Sequence, residues 1–302
     1  MTETPHRAGF VSIIGKPNVG KSTLLNALVG EKLAITAHQP QTTRTSIQGV
    51  LTSPDTQIVF IDTPGIHKSD TLFNKRMMDA VRRALDHRDL VLYVTDASKS
   101  VSEQDQQAVS VLSQGAQSLL VPNKIDRLED KRLLLPLIHR YMELFPFVDA
   151  VPVSAGKGDG LDDLKRVVKQ HLPEGPALFP DDYLTDQPMR YLAAEIIRES
   201  ILRAAREEVP HATAILIDEW EEKPRLTKIS AAIHVERPGQ KIILVGTKGQ
   251  MLKKIGSEAR EKLERLLGMK VFLSLFVKVK PHWREDPAFL NDVDWRSMIG
   301  SE

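Results

Sequence analysis

The stretch GKPNVGKS, residues 15–22, decides the fold expected for the first half of this 302-residue chain. It fits the pattern G-x-x-x-x-G-K-[ST], follows the apolar run FVSIIG and opens the helical segment KSTLLNALVG. In this strand–loop–helix context, backbone N–H groups and the helix start converge on phosphate oxygens. Lys21 is expected to reach the β- and γ-phosphates of a nucleotide, and Ser22 to bind Mg²⁺. The predicted phosphate-contacting residues are Gly15, Lys16, Pro17, Asn18, Val19, Gly20, Lys21, Ser22 and Thr23.

Short apolar runs alternate with helical segments through the first half of the chain. Runs such as LVLYVTD (90–96) end in polar residues, and segments such as GLDDLKRVVKQHL (160–172) lie between them. This alternation predicts an α/β fold with a mostly parallel sheet and helices on both faces. Residues 46–62 differ, because they form two candidate strands joined by a turn at Ser53-Pro54-Asp55. They predict a hairpin that adds one antiparallel strand to the sheet.

Three further motifs lie at predicted strand ends. In DTPG (62–65), the Asp62 carboxylate is expected to hold Mg²⁺, and the Gly65 N–H to face the γ-phosphate. In NKID (123–126), Asp126 can accept hydrogen bonds from N1–H and N2–H₂ of guanine, which disfavours adenine and an ATPase. The Ala155 N–H is expected to meet guanine O6. These motifs add Asp62, Thr63, Pro64, Gly65, Ile66, Asn123, Lys124, Asp126, Ser154 and Ala155 to the predicted GTP-binding residues.

The ordered set GKPNVGKS, DTPG, NKID and SA resembles the translation-factor class of GTPases. The resemblance implies a P-loop GTPase domain over residues 1–172, a slow GTP-to-GDP hydrolysis, and a switch loop in AHQPQTTRTS (37–46). It implies that the Thr43 hydroxyl joins Ser22 and Asp62 around Mg²⁺, with Thr42 as the alternative. These threonines could also serve only to solvate a mobile loop.

Hydrolysis is expected to be slow because Ile66 follows the DTPG glycine. Many GTPases place a glutamine there to orient the attacking water, and isoleucine can neither donate nor accept a hydrogen bond. Lys21, Thr43 and Gly65 are the candidate catalytic residues that remain, together with Asn18. Resemblance to GTPases with a similar loop implies that Asn18 holds K⁺ beside the phosphates; the alternative is that Asn18 only braces the loop.

The second half carries a shorter glycine turn, Gly246-Thr247-Lys248-Gly249. A proline-rich linker at 173–188 separates it from the first domain, and residues 189–302 are predicted to form the second domain and a C-terminal tail. Its predicted order is helix, two strands, helix, G-x-x-G, helix and strand, which resembles an α+β type II KH domain that grips single-stranded RNA. The predicted RNA-binding residues are Gly246, Thr247, Lys248, Gly249, Lys253 and Lys254.

The charge of the second half supports a polyanionic partner. Residues 223–285 contain 15 lysines and arginines against five glutamates, whereas the whole chain has a net charge of +1. Such a basic block is typical of nucleic-acid binding, although it could also be an ordinary solvated surface. In the helix after the turn, Met251, Ile255, Ala259, Leu263 and Leu267 recur every four residues and are interpreted as core.

Taken over its whole length, the chain resembles the Era family of GTP-binding proteins. The resemblance rests on QPQTTR (39–44), HVERPGQKIILVGTKGQMLKKIG (234–256) and KVKPHWREDP (278–287), although VGTKG stands where the family often has IGKGG. It implies a monomeric factor that binds 16S ribosomal RNA near its 3′ end, acts in 30S subunit assembly and associates peripherally with the inner membrane. The alternative is a regulatory GTPase whose basic C-terminal domain docks a protein or membrane partner.

Composition indicates the compartment. The chain has no cysteine, which excludes disulfides and thiolate metal sites and favours a reducing cytoplasm. The first ten residues, MTETPHRAGF, lack the apolar core of a signal peptide, and no apolar run approaches the ~18 residues of a membrane span.

Overall fold

The computed structural model describes residues 5–37, 42–66, 71–86, 88–112, 117–205, 209 and 212–294. Contacts divide the chain into two compact units, and the main division falls between Asp186 and Gln187. Residues 38–41 of the predicted switch loop and residues 295–302 of the predicted tail lie outside the described residues. In the part that is described, no helix is both long enough and apolar enough to span a bilayer.

The first unit is an α/β structure built on a six-stranded sheet with strand order β2-β3-β1-β4-β5-β6. All neighbouring strands are parallel except β2 and β3, which form the predicted antiparallel hairpin. The strands are β1 (Arg7–Ile14), β2 (Ile47–Ser53), β3 (Thr56–Asp62), β4 (Leu90–Asp96), β5 (Ser118–Asn123) and β6 (Asp149–Ala150). The helices are α1 (Lys21–Val29), α2 (Leu72–Leu85), α3 (Glu103–Val109), α4 (Leu134–Leu144) and α5 (Leu161–His171).

Helices cover both faces of this sheet, as predicted. Along β4 every residue is buried, and alternate side chains point to opposite faces. Leu92 packs into a cluster that includes Leu25 of α1 and Leu164 of α5. Its neighbour Tyr93 packs into a second cluster, with Val81 of α2 and residues of α3 and α4. Because β1, β3, β4, β5 and β6 are parallel, their carboxyl ends meet at one edge of the sheet, where the predicted motifs lie.

One strand is shorter than the sequence predicts. The apolar run 149–155 forms only a two-residue strand, because β6 pairs with β5 through Asp149 and Ala150 alone. The predicted linker lacks helix and is fixed to the first unit as far as Asp186. The Gln57 side chain accepts from the N–H groups of Leu178 (2.6 Å) and Phe179 (2.9 Å), and it donates to the Phe179 carbonyl. Helices α2 and α4 carry no motif and were not predicted.

The second unit follows the predicted order. Helix α6 (Met189–Ala204) precedes strands β7 (Ala214–Lys223) and β8 (Leu226–Val235), helices α7 (Pro238–Val245) and α8 (Gln250–Leu267), and strand β9 (Lys270–Val279). The sheet order is β7-β8-β9, with an antiparallel β7–β8 pair and a parallel β8–β9 pair. In the predicted stripe of α8, Ile255, Ala259 and Leu263 are buried. A short helix, α9 (Pro287–Val293), follows and was not predicted.

Candidate nucleotide site and nucleic-acid surface

The phosphate loop is shaped by glycine at the start of α1. Gly20 caps this helix with a φ of 101°, in the left-handed region that favours glycine. A Cβ atom there would clash with the side-chain amide of Asn123. This close approach joins the loop to the end of β5, because Asn123 Nδ2 also donates to the Val19 carbonyl at 2.9 Å.

Lys21 lies buried beneath the loop. Its ammonium donates to the carbonyl oxygens of Gly15 (3.1 Å) and Lys16 (3.0 Å), both of which belong to the loop itself. Burial lowers the pKa of Lys21 to about 8, against the opposing effect of Asp62. A cation held in this way is positioned to meet phosphate oxygens without a large rearrangement.

Three oxygen-bearing side chains meet at the predicted metal position. Ser22 Oγ lies 2.6 Å from Thr43 Oγ1 and donates to Asp62 Oδ2 at 2.7 Å; Thr43 Oγ1 lies 3.3 Å from the same carboxylate oxygen. Asp62 Oδ1 is buried and makes no hydrogen bond among the described residues. Burial raises the pKa of Asp62 to about 6, although Lys21 and the two hydroxyls act against it. A buried carboxylate with a spare oxygen beside two hydroxyls suits Mg²⁺, which prefers oxygen ligands.

The DTPG segment is fastened to the loop by its backbone. The Ile66 N–H donates to the Gly15 carbonyl at 3.1 Å, and the Ile66 side chain packs on the apolar core. Thr63 is buried and donates its hydroxyl to the Ile13 carbonyl at 2.9 Å. The Thr63 side chain therefore braces β1, and the structure does not turn it toward the loop.

Residues from the loop, the switch segment and DTPG line one shared pocket. Two predicted threonines, Thr42 and Thr43, both reach it. The lining residues are Pro17, Asn18, Gly20, Lys21, Ser22, Thr23, Ile35, Thr36, Ala37, Thr42, Thr43 and Gly65. Val19 does not line this pocket, and it is buried in the core.

The predicted guanine-reading segments also come together. Asn123 Oδ1 accepts from the N–H of Ala155 at 3.0 Å, and Ser154 Oγ donates to Asp126 Oδ1 at 2.6 Å. The Ala155 N–H is therefore already engaged, and a bond to guanine O6 would require it to be shared or released. Lys124 joins this group to the loop, because its ammonium contacts the Asn18 carbonyl (2.5 Å) and Asp96 (2.8 Å).

Lys16 has an ion-pair partner that sequence analysis missed. Its ammonium lies 2.6 Å from Asp105 Oδ2, and only 3% of the Asp105 side chain is exposed. Tyr141 also donates to Asp105, at 2.9 Å, and Ser102 caps α3 through the same carboxylate. Ser102-x-x-Asp105 is a capping-box pattern, so the sequence did signal this helix start, although not the bond to Lys16.

The turn in the second unit is open to solvent. Gly246 has a φ of 70°, and a Cβ atom there would lie 2.7 Å from Cβ of Met251. Thr247 and Lys248 are exposed, and Gly249 caps α8. The turn therefore lies at the surface, with its two glycines half-buried.

A groove of about 340 Å³ runs from this turn along α8 and β9. Its residues are Gly249, Leu252, Lys253, Gly256, Ser257, Arg260, Leu273 and Leu275. Lys253 lines the groove, whereas Lys254 is exposed outside it. Within the described residues, neither of these lysines nor Lys248 forms an ion pair.

Many other cations of the basic block are neutralised. Lys262 lies 2.9 Å from Glu199, Lys278 lies 3.0 Å from Asp218, and Arg284 lies 2.7 Å from Glu236. The excess of positive charge seen in the sequence is thus reduced over much of the unit, and unpaired lysines remain at the turn and at the start of α8.

Comparisons with known proteins match both predicted domain types. Residues 10–124 match the family model of the 50S ribosome-binding GTPase, and residues 208–284 match that of the KH domain. The chain is 50% identical to the GTPase Era of Geobacter metallireducens, over 98% of this chain and 100% of that protein. The chain belongs to the Era family of GTPases.

Other members of the Era family match at similar coverage. The GTPase Era of Lactobacillus delbrueckii subsp. bulgaricus is 44% identical over 96% of both chains. A variant of Aquifex aeolicus Era bound to GDP·AlF₄⁻ has a TM-score of 0.92, and Era in complex with MgGDPNP and nucleotides 1506–1542 of 16S ribosomal RNA has one of 0.93. Both are 39% identical to this chain and cover 96% of it and 99% of their own chains.

Proposed function

We propose that this protein is a GTP-hydrolysing switch that binds 16S ribosomal RNA near its 3′ end and acts in 30S subunit assembly. The observation that carries the proposal is the open glycine turn with unpaired lysines, in a chain whose other half assembles a phosphate loop with guanine-reading motifs. The Era structure that holds both MgGDPNP and nucleotides 1506–1542 of 16S ribosomal RNA supports the same pairing of ligands.

Lys21, Ser22 and the loop backbone are proposed to hold the phosphates, and Asp126 to select guanine. The closeness of Thr43 to Ser22 and Asp62 favours Thr43 as the switch threonine that joins the metal shell. Mg²⁺ bound by this set would neutralise charge on the β- and γ-phosphates. Competition of ATP and GTP against labelled GDP tests the assignment, because only guanine nucleotides should displace the label.

K⁺ is proposed to assist hydrolysis beside Asn18. The Asn18 carbonyl accepts a hydrogen bond from the Lys124 ammonium, and Asn18 lines the phosphate pocket. The Asn18 side-chain amide can therefore take part in binding a cation. Turnover should be faster in KCl than in NaCl, and Asn18→Ala should abolish the difference. Equal rates in both salts would mean that Asn18 only braces the loop.

The RNA assignment is tested by charge reversal at the turn. Lys248→Glu with Lys253→Glu should abolish retention of a 16S 3′-end RNA fragment while GDP affinity is unchanged. Arg225→Glu is a matched control, because Arg225 is exposed in the same unit and does not line the groove. RNA affinity should also fall linearly with salt on a log–log plot. Unchanged RNA binding in the double variant would refute this surface.

The protein is proposed to work as a cytoplasmic monomer, with the inner membrane as a peripheral docking place. The alternative partner for the basic unit, a protein or an anionic membrane, is tested with the same double variant. Light scattering gives the oligomeric state, and flotation with anionic vesicles measures membrane attachment. If the wild type bound vesicles or a protein partner but no RNA, and the double variant lost that binding, the alternative would replace the RNA proposal.

A further inference from the structure

A second cavity adjoins the phosphate loop in the first unit. Its volume is about 540 Å³, within the ~300–1,000 Å³ range of small-molecule pockets. It is lined by Lys16, Pro17, Asn18, Val19, Ile66, Met78, Asp96, Lys99, Ser100, Gln104, Asp105, Gln107, Ala108, Val111 and Tyr141. Five of these, Lys16, Pro17, Asn18, Val19 and Ile66, are also predicted to contact GTP. Lys21, Ser22, Asn123 and Asp126 do not line the cavity, so it adjoins the nucleotide space and extends from it toward α3.

One wall of the cavity is apolar. Ile66 contributes from the DTPG end, Met78 from α2, and Ala108 from α3, with Val111 just after it. Ala108 is buried, and the other three are partly buried and pack on the adjoining core. This wall fits a flat hydrocarbon or aromatic body.

The polar part of the lining includes an exposed lysine. Two acidic lining residues are already paired: Asp105 with Lys16 at 2.6 Å and Asp96 with Lys124 at 2.8 Å. Within the described part of the chain, Lys99 forms no ion pair, and it is exposed at the rim. Gln104 and Gln107 are also exposed there and offer amide donors and acceptors. The rim therefore favours an anionic group over a cationic one.

We infer that this cavity is a second ligand site, which takes a small amphipathic organic anion of the aromatic carboxylate or sulfonate type. The aromatic body lies against Met78 and Val111, and the anion lies at Lys99. The ligand also contacts Ile66 and Asn18, at the edge of the proposed nucleotide site, so its binding is coupled to that of GTP. That coupling, unlike the binding itself, rests on the proposed nucleotide site. By linkage, a ligand that prefers the GTP state raises GTP affinity by the same factor.

Methionine methyl groups provide a local probe of this site. The full chain, saturated with GDP and Mg²⁺ and ¹³C-labelled at its eight methionine methyls, is titrated with 8-anilinonaphthalene-1-sulfonate. We expect a saturable shift of the Met78 methyl resonance, assigned with Met78→Leu. Met189, Met251 and Met269 of the second unit are internal controls, and their resonances should shift less.

Charge reversal at the rim tests where the anion lies. Lys99→Glu should weaken binding of the probe about two- to five-fold, the range expected for loss of an exposed ion pair. Lys131→Glu is a matched control, because Lys131 is also exposed in the first unit and does not line the cavity. The Lys131→Glu variant should bind the probe with the same affinity as the wild type.

Two outcomes would overturn the inference: no saturable Met78 shift at millimolar probe in the GDP-saturated chain, or larger shifts at Met251 and Met269 than at Met78. Equal probe affinity in the Lys99→Glu variant would overturn the position of the anion. GDP and RNA affinities are measured separately on the same samples. Absence of probe binding with intact GDP and RNA binding would overturn only the second site. Loss of GDP or RNA binding with intact probe binding would overturn only the proposed function.

Discussion

The ion pair between Lys16 and Asp105 gives a sharp test of how the phosphate loop is held. Asp105→Asn keeps the shape of the side chain and one acceptor oxygen but removes the charge. Removing one partner of a fully buried pair costs about 3–5 kcal/mol. The Lys16 side chain is 22% exposed, so its ammonium can recover some hydration, and we expect a loss of about 2 kcal/mol in the free energy of unfolding.

The same substitution should weaken nucleotide retention. The Lys16 carbonyl accepts from the buried ammonium of Lys21, so a loop released from α3 holds that cation less firmly. We expect GDP to dissociate faster from Asp105→Asn than from the wild type, measured with a fluorescent GDP analogue. Tyr141→Phe is the control: it removes one hydrogen bond to the same carboxylate, worth about 1 kcal/mol, and leaves the ion pair intact.

The pH dependence of this effect has a definite sign. Burial would raise the pKa of Asp105, but hydrogen bonds from Lys16, Ser102 and Tyr141 outweigh burial and hold the pKa below its ordinary value of 3.8. A carboxyl group with a lowered folded-state pKa stabilises the fold above its unfolded-state pKa, and this stabilisation is lost as pH falls. The stability difference between wild type and Asp105→Asn should therefore be constant near neutral pH and shrink below about pH 4. Urea denaturation followed by circular dichroism measures this difference in the free energy of unfolding. A difference under about 0.5 kcal/mol at pH 7, together with an unchanged rate of GDP release, would refute the reasoning.

Three other substitutions test the remaining contacts. Gly20→Ala forces a Cβ against the amide of Asn123, so GDP affinity measured by calorimetry should fall at least ten-fold; unchanged affinity would contradict the tight loop. Gly246→Ala places a Cβ 2.7 Å from Met251 in a backbone conformation with a φ of 70°, so RNA binding in a filter assay should weaken while GDP binding persists. Gln57→Ala removes three hydrogen bonds to the linker, so residues 178–179 should lose hydrogen-exchange protection. The free energy of unfolding should fall by about 1–3 kcal/mol. Full protection would show that other contacts hold this segment.

Sequence patterns identified the parts of the fold that local chemistry determines. The glycines, lysine and serine of residues 15–22 are constrained by the loop itself, and the hairpin turn at 53–55 and the stripe of α8 follow from short-range periodicity. The family resemblance supplied the rest of the motif roles. The order of the strands in the sheet and the length of β6 depend on long-range pairing, which no local pattern encodes.

The candidate site shows the same division between local and distant information. Asp105 lies 89 residues from Lys16, and Asp96 lies 28 residues from Lys124, so neither bond is visible as a spacing in the sequence. Thr63 matched a motif position, yet its hydroxyl is used to brace the Ile13 carbonyl. A motif thus gives the residue type at each position, whereas the packing of the fold decides where the side chain points.

The two glycine turns share one backbone arrangement at a helix start, but they differ in the burial of their lysines. Gly20 caps α1 and Gly249 caps α8, and each leaves backbone N–H groups at a helix start. The cation of the first turn, Lys21, is buried and already held by carbonyl oxygens, whereas Lys248 and Lys253 at the second turn are exposed and unpaired among the described residues. Salt screens exposed charges much more strongly than buried ones. Raising NaCl at constant Mg²⁺ should therefore weaken RNA binding steeply and GDP binding only slightly. An equally steep loss for GDP would show that the first turn also depends on screened surface charge.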